Sequence, residues 1–390
     1  MIDASVIASR RRLLLRDSVT FFLLTLTTVV LFVLTLLLFR SFTAHRADLS
    51  VRWAARGRSA LAQGHPELAV PALRTALVYA PDEREYQMLL AQALGGSGHA
   101  EEATNYFLNL WEAQPGDGVI NLQLARLARR RSERTEAIRY YRASIFGSWN
   151  GDGVERRREV RLELANYLIE LGDLPAAQTE LLIAASNAPP GAGLEILFGD
   201  ELERAKDPAN ALLYYQKAIA QDPENPEAYA KAGRMAYQLG DYAKAHGLLE
   251  RAVRVSDGEP DDRVEVLLHN VERLLVLSPA AARRASDRIT RLLDDKAIAK
   301  RRWDGCVAQG SKQAILAGVQ AEVQALNARW AQAQGISTRE ALAADQNNED
   351  VLTSLIHESE TTAASLCGAP TGDDALLLLL AQNAQREEQR

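Results

Sequence analysis

The sequence predicts an all-α protein with one membrane-spanning helix near its N-terminus, an array of helical hairpins, and a small helical C-terminal domain. Three observations support this prediction. Residues 50–259 repeat with a period of 34 residues, residues 19–39 form an apolar run without a charge, and the remaining segments place apolar residues at helical spacing. A period of 34 residues is typical of arrays of helix-turn-helix units.

The repeated part contains six blocks that align without gaps. They begin at Ser50, Arg84, Gly118, Arg158, Ala192 and Pro226, and only the 40-residue interval after Gly118 breaks the period. The first helix of each block carries a small residue: Gly57, Ala91, Ala125, Ala165, Gly199 and Gly233. The second helix carries a small residue followed four positions later by a large one: Leu73, Phe107, Tyr141, Leu181, Tyr215 and Leu249. Small residues allow the two helices of a hairpin to approach closely, and we interpret the large ones as apolar filling between hairpins.

These blocks resemble the tetratricopeptide repeat (TPR) family, and residues 192–223 and 226–256 match its pattern best. The resemblance implies a right-handed superhelix of helix pairs with a concave groove that holds a peptide or a partner helix. Block three departs from the pattern, because its turn is hydrophilic and it lacks the proline that ends blocks one, two, four and five. The Gly- and Arg-rich insertion that follows, residues 147–158, is interpreted as an exposed loop between two halves of three repeats.

The resemblance also implies which side chains line the groove, because the first helix of each hairpin forms the concave face in this family. The implied residues are Arg58, Gln92, Arg126, Asn166, Asp200 and Arg234, with Arg129, Arg130 and Glu203 one turn further along. We expect the basic half near the membrane to bind an acidic segment of a partner protein. Arginine suits this role, since its planar group pairs a carboxylate at two points. The alternative is that these arginines only face solvent or pair with neighbouring helices.

The N-terminal segment predicts a membrane anchor. Residues 1–18 form a short basic tail, and the 21 uncharged residues that follow span roughly 30 Å as a helix, enough to cross a bilayer. The alternative is a cleaved signal peptide, whose apolar core should be about 7–15 residues long and end in a small-residue cleavage site. Residues 41–47 contain no such site, so we expect an uncleaved span, joined to the array by a linker at residues 40–49.

The sequence indicates the anchor more directly than it indicates the side of the membrane on which the repeats lie. Arginines occur on both sides of the apolar run, so the distribution of basic residues gives no clear bias. A short tail is easily kept inside the cell, and the two cysteines, Cys306 and Cys367, agree with an oxidising compartment. We therefore expect a bacterial inner-membrane protein with periplasmic repeats and a disulfide between these cysteines. The alternative is a pair of buried free thiols.

The sequence pattern also predicts helices in the part of the chain after the repeats. Residues 260–303 predict a degenerate seventh hairpin or cap, with a helix at 261–277 and another from 279 to about 293. The basic segment 296–303 is interpreted as a solvated helix end, or alternatively as a docking patch. Residues 304–390 predict a helical domain with helices at about 311–334, 351–365 and 373–390, and a short one after 337.

Composition and motifs restrict the function. The net charge of −6 does not favour nucleic-acid binding, and the chain lacks the HExxH and CxxC motifs of common metal and redox sites. We expect neither metal nor cofactor nor enzymatic activity. The predicted function is a membrane-anchored scaffold or adaptor for protein–protein interaction in envelope assembly or secretion. The alternatives are a structural subunit of a larger membrane complex and an enzyme with an active site in residues 304–390.

Overall fold

The computed structural model of this protein describes residues 4–256, 261–312 and 320–388. Regular structure in these residues is helical, apart from one isolated bridge between Asp117 and Ser148. The chain divides into two compact units, residues 1–164 and 165–390. The predicted all-α fold is confirmed.

The first unit contains the N-terminal helix and three hairpins. Its helices are α1 (Ala4–Ala62), α2 (Pro66–Tyr79), α3 (Arg84–Gly96), α4 (Ala100–Ala113), α5 (Gly118–Arg130), α6 (Arg134–Phe146) and the greater part of α7 (Gly153–Glu170). The large residues of the repeat pattern, Leu73, Phe107 and Tyr141, are fully buried between helices. The core of this unit therefore follows the repeat positions read from the sequence.

The second unit continues the repeats and ends in a helical C-terminal part. It contains the end of α7, α8 (Leu174–Ser186), α9 (Ala192–Arg204), α10 (Pro208–Gln221), α11 (Pro226–Gln238), α12 (Tyr242–Val255), α13 (Asp262–Leu277), a short 3₁₀ turn (Pro279–Ala281), α14 (Ala285–Lys312), α15 (Gln320–Ala333), α16 (Arg339–Ala344), α17 (Gln346–Cys367) and α18 (Asp373–Glu388). The predicted starts of four blocks coincide with the starts of α3, α5, α9 and α11.

Packing explains why small and large residues alternate in the repeats. A methyl group placed on Gly233 would lie 2.7 Å from Cγ of Leu249, well inside van der Waals contact. The backbone of α11 therefore needs a residue without a side chain where the leucine of α12 crosses it. The same relation holds between Gly199 and the ring of Tyr215 in the preceding hairpin.

The segment predicted as a linker, residues 40–49, is helical, because α1 runs without a break from Ala4 to Ala62. This segment contains neither glycine nor proline, so nothing in it ends the helix. The first helix of the first hairpin is thus the direct continuation of the predicted membrane span.

The prediction of an exposed loop at residues 147–158 needs correction, since α7 begins at Gly153. The Asp152 carboxylate accepts hydrogen bonds from the backbone N–H groups of Val154 and Glu155, at 3.1 and 3.0 Å, and so starts the helix. The preceding residues are also held, because the Trp149 ring packs against Gly118 and its Nε1 donates to the Ser144 carbonyl.

The predictions for the C-terminal part also need correction. The helix expected at 279–293 is α14, which begins at Ala285, continues past residue 293 because no glycine or proline interrupts residues 285–304, and ends at Lys312. The expected domain boundary after residue 303 therefore falls inside a helix. The basic segment 296–303 is not a helix end: it lies within α14, and its Ala299 and Trp303 are buried. The boundary after residue 259, and residues 313–319 of the helix expected at 311–334, lie outside the described residues.

A separate core holds α14 to α17 together. Trp303 and Trp330 are buried in it, and each indole N–H finds a partner, Asn327 Oδ1 at 2.8 Å and Ser359 Oγ at 2.9 Å. In the structure a disulfide joins Cys306 of α14 to Cys367 at the end of α17, with 5.7 Å between their Cα atoms.

Candidate functional site

All but one of the predicted groove residues of the first unit line one pocket, which we call the α5–α7 pocket. It has a volume of about 550 Å³. The residues that line it come from α3, α5 and α7: Gln92, Gly96, Gln123, Arg126, Arg129, Arg130 and Glu163. Four of the side chains that the family resemblance implies thus lie together.

Arg126 is held in place by Glu163. Its Nε donates to both carboxylate oxygens, at 2.9 and 3.1 Å, and its second nitrogen Nη2 donates to Oε2 at 2.7 Å. Burial alone would raise the pKa of Glu163, but the hydrogen bonds from Arg126 and Tyr141 outweigh it and lower that pKa below its usual value. The hydrogen bond with Glu163 in turn raises the pKa of Arg126. Both groups are therefore charged at neutral pH.

Tyr141 and Arg129 act on the same carboxylate. The Tyr141 hydroxyl donates to Glu163 Oε1 at 2.8 Å, and burial together with this bond raises the pKa of the phenol, which stays neutral. Arg129 lies close enough for its charge to lower the pKa values of Glu163 and Tyr141, although less than their main influences change them. The carboxylate is thus surrounded by hydrogen-bond donors and positive charge.

Arg130 ties α5 to the neighbouring hairpin. Its Nη1 donates to the backbone carbonyl of Gly95 at 3.0 Å, near the C-terminal end of α3. Cations stabilise this end of a helix, where carbonyl groups lack partners within the helix. The residues that line the pocket include three arginines and one glutamate, an excess of two positive charges.

Arg58 does not join this cluster. Its side chain pairs with Glu85 of α3, with 2.9 Å between Nη2 and Oε1, and lies 6.0 Å from the centre of the Tyr86 ring. Both partners are exposed to solvent, so the pair contributes little to stability. The sequence therefore grouped Arg58 with residues that the structure places elsewhere in the first unit.

The predicted groove residues of the second unit form hydrogen bonds and ion pairs across neighbouring hairpins. Asp200 accepts from Lys231 Nζ at 2.7 Å, Glu203 accepts from Arg234 at 2.6 Å, and Asn166 accepts from Arg204 at 2.5 Å. The Tyr215 hydroxyl also donates to Asp200, at 2.7 Å, and burial raises its pKa. These pairs cross-link the first helices of successive hairpins.

The repeat pattern did not predict that two tyrosines hydrogen-bond the acidic residues of these pairs. Tyr141 and Tyr215 occupy the same repeat position, which the sequence analysis treated as apolar filling. Each ring is buried, while its hydroxyl reaches a carboxylate that also binds a cation: Glu163 with Arg126, and Asp200 with Lys231. The sequence contained a signal for this role, because the equivalent residues of the other blocks are leucine or phenylalanine, which carry no hydroxyl group.

Two buried acidic residues of the second unit lie apart from these pairs. Asp295 is 3% exposed and Glu360 is 1% exposed. Burial raises the pKa of Asp295 to about 8 and that of Glu360 to about 7, the latter despite an ion pair with Arg302 at 2.6 Å. In the described residues, no group of three or more histidine, cysteine or acidic side chains is placed to hold a metal ion.

Comparison with known proteins indicates to which family the repeats are similar. Two family models described as "Tetratricopeptide repeat" match residues 54–118 and 202–261. Among solved structures, pilF of Pseudomonas aeruginosa is similar at 15% identity and a TM-score of 0.39, covering 58% of this chain and 98% of its own. The C-terminal part of a TPR repeat-containing protein from Cytophaga hutchinsonii is similar at 12% identity and a TM-score of 0.43, covering 60% and 91%.

A third structure, YrrB, described as a TPR protein with an unusual peptide-binding site, shares 18% identity at a TM-score of 0.36, covering 52% of this chain and 98% of its own. Likenesses of this size do not carry function from one protein to another. The search of curated proteins gives no match. The two matched segments lie at the two ends of the repeat array, whose helices follow the 34-residue register, and both segments are tetratricopeptide repeats.

Proposed function

We propose that this protein is a membrane-anchored scaffold whose α5–α7 pocket binds an acidic segment of a partner protein during envelope assembly or secretion. The observation that carries the proposal is the charge of the pocket lining, with three arginines against one glutamate. Guanidinium groups bind carboxylates at two points, which gives such a surface geometric selectivity as well as charge.

The ion pair between Arg126 and Glu163 suits this function. It fixes the guanidinium before a partner arrives, so less side-chain entropy is lost on binding. The proposal rests on the summed charge of the pocket, which attracts an acidic segment from a distance and weakens as salt screens it. It does not require any single arginine to lack a partner.

The anchor of the scaffold is the apolar part of α1. Its large side chains, from Val19 to Phe39, are exposed along the helix, as they would be toward lipid. The hydroxyls of Thr25 and Thr35 donate to the carbonyls of Phe21 and Leu31, at 2.9 and 2.7 Å, so these polar groups are satisfied within the helix. The disulfide in the second unit supports placing the repeats in the periplasm.

Two treatments of membranes test the anchor. The protein should remain in the membrane after an alkaline carbonate wash, and protease added to intact spheroplasts should digest the repeats. Release by carbonate would contradict the anchor. Protection until the inner membrane is opened would contradict the periplasmic orientation alone.

The pocket is tested by two matched triple variants of the detergent-solubilised protein. Arg126, Arg129 and Arg130 are changed together to glutamate in one variant and to lysine in the other. The glutamate variant should lose its co-purifying partner, while the lysine variant, which keeps the charge, should retain part of it. Helical content and melting temperature show whether both variants fold. Wild-type recovery by a folded glutamate variant would contradict the pocket.

A further inference from the structure

The unbroken α1 helix fixes how far the first hairpin lies from the membrane. Because a helix rises about 1.5 Å per residue, Phe42 lies about 5 Å beyond Phe39, the end of the apolar run, and the backbone of Arg46 about 10 Å beyond it. The headgroup layer on each side of a bilayer is about 5–8 Å thick. The chain around Phe42 is therefore at headgroup depth if residues 19–39 span the membrane.

Arg46 brings the end of α2 to the same depth. Side chains on a helix lean toward its N-terminus, and the Arg46 guanidinium accordingly lies 5.8 Å from the centre of the Phe42 ring. Its Nη2 donates to the backbone carbonyls of Tyr79 at 3.0 Å and of Val78 at 3.5 Å. The Arg46 guanidinium thus connects Phe42 to Val78 and Tyr79, which are more than thirty residues further along the chain.

The chemistry of these four residues matches a membrane interface. Phe42 is 61% exposed and Val78 is 71% exposed, although both are apolar. Tyrosine, here Tyr79, is enriched at headgroup level, and arginine places its charge there while its stem packs on apolar surface. The carbonyls at the C-terminal end of a helix carry partial negative charge and repel phosphate, and α2 has no basic residue in its own last turn. Arg46 supplies the positive charge that offsets this repulsion.

We propose that Phe42, Arg46, Val78 and Tyr79 form an interfacial patch through which the first hairpin contacts the lipid headgroups. This inference rests on the proposed anchor, and it adds a second contact between the protein and the bilayer. The occupant is the lipid surface itself, because the patch is continuous with the apolar face of α1. The first hairpin is then held against the membrane and does not swing freely above it.

Depth measurements on the full-length protein in nanodiscs of phosphatidylcholine and phosphatidylglycerol test the patch. An environment-sensitive fluorescent amino acid is placed at position 78, 68 or 31, and nitroxide-labelled lipids serve as quenchers. Leu68 is the matched control, because it is 61% exposed on the same helix and lies about 15 Å further from the membrane end of α2. Position 31 reports on the span itself.

We expect lipids labelled at the headgroup to quench the probe at 78 and leave the probe at 68 nearly unchanged. Lipids labelled deep in the acyl chain should quench the probe at 31. Equal and weak quenching at 78 and 68, with position 31 quenched, would overturn the patch and leave the anchor intact. A probe at 31 that escapes quenching would overturn both.

Discussion

Arg126 of α5 and Glu163 of α7 form an ion pair with three hydrogen bonds across 37 residues of sequence. The pair joins two successive first helices of the array and forms one wall of the α5–α7 pocket. A partner would therefore contact a preformed surface, in which the Glu163 carboxylate fixes the orientation of the Arg126 side chain. This relation between neighbouring hairpins is the basis of the first prediction.

Glu163→Gln should destabilise the protein by about 1–3 kcal/mol, because it removes the charge from a half-buried, hydrogen-bonded pair. The matched control is Glu85→Gln, which breaks the exposed pair with Arg58 and should cost about 0–1 kcal/mol. Denaturant unfolding measures both.

The pH dependence supplies a second check on the same pair. Since the pKa of Glu163 is lowered in the folded state, its contribution is present at neutral pH and is lost as pH falls through that value. The difference between wild type and Glu163→Gln should therefore shrink in acid. Equal costs for the two variants at pH 7 would contradict the structural role of the pair.

Stability should fall as the pH rises from about 4 toward 8, because of the buried acids in the second unit. Burial, helped by the neighbouring charge of Asp294, raises the pKa of Asp295 to about 8. The folded state therefore keeps a proton that the unfolded chain releases above about pH 4. Asp295→Asn should flatten the fall in melting temperature between pH 6 and 8, and Asp304→Asn, at an exposed site, should not. An unchanged slope in Asp295→Asn would refute the assignment.

Two glycine substitutions test the packing of the last complete hairpin. Gly233→Ala should cost about 1–3 kcal/mol, because the added methyl group meets Leu249 in a filled interface. Gly247→Ala lies in α12 with open space around it and should stabilise the helix by about 0.5–1 kcal/mol. Melting curves of the two variants should shift in opposite directions, and a shift of the same sign would show that the interface adapts.

The disulfide should form in the exported protein and stabilise the C-terminal part. It closes a loop between residues separated by 61 positions, for which chain-entropy models give about 4 kcal/mol. Cys367→Ser should lower the unfolding free energy by up to that amount. Labelling of denatured, unreduced protein should find no free thiol. Two labelled cysteines would remove both the bond and its support for a periplasmic location.

The sequence predicted what depends on local pattern. The starts of α3, α5, α9 and α11 follow from the 34-residue register, because each hairpin repeats the same short-range packing. The continuous α1 was missed, although residues 40–49 contain no helix breaker, because a span and a repeat were expected to need a linker. The start of α14 was misplaced, because Ser278 and Pro279 suggested a helix start that the chain places six residues later.

The site was only partly predictable. The register placed Arg126, Arg129 and Arg130 on one helix face, and they do line one pocket. Glu163, the partner of Arg126, was not predicted, because the repeat pattern marks the small and large packing positions of each block and not the polar contacts between blocks. The contact of Arg46 with Tyr79 was equally hidden, because it depends on how two helices meet and not on any local motif.

Photo-crosslinking from inside the α5–α7 pocket tests the central claim most directly. A photoreactive amino acid replaces Gln123, which lines the pocket beside the three arginines, in the cell that makes the protein. The scaffold function predicts an adduct with one partner protein, whose crosslinked peptide is rich in aspartate and glutamate. The adduct should disappear when Arg126, Arg129 and Arg130 are all glutamate and should persist in part when they are lysine. An adduct that survives the glutamate substitutions, or a crosslinked peptide without acidic residues, would contradict the claim.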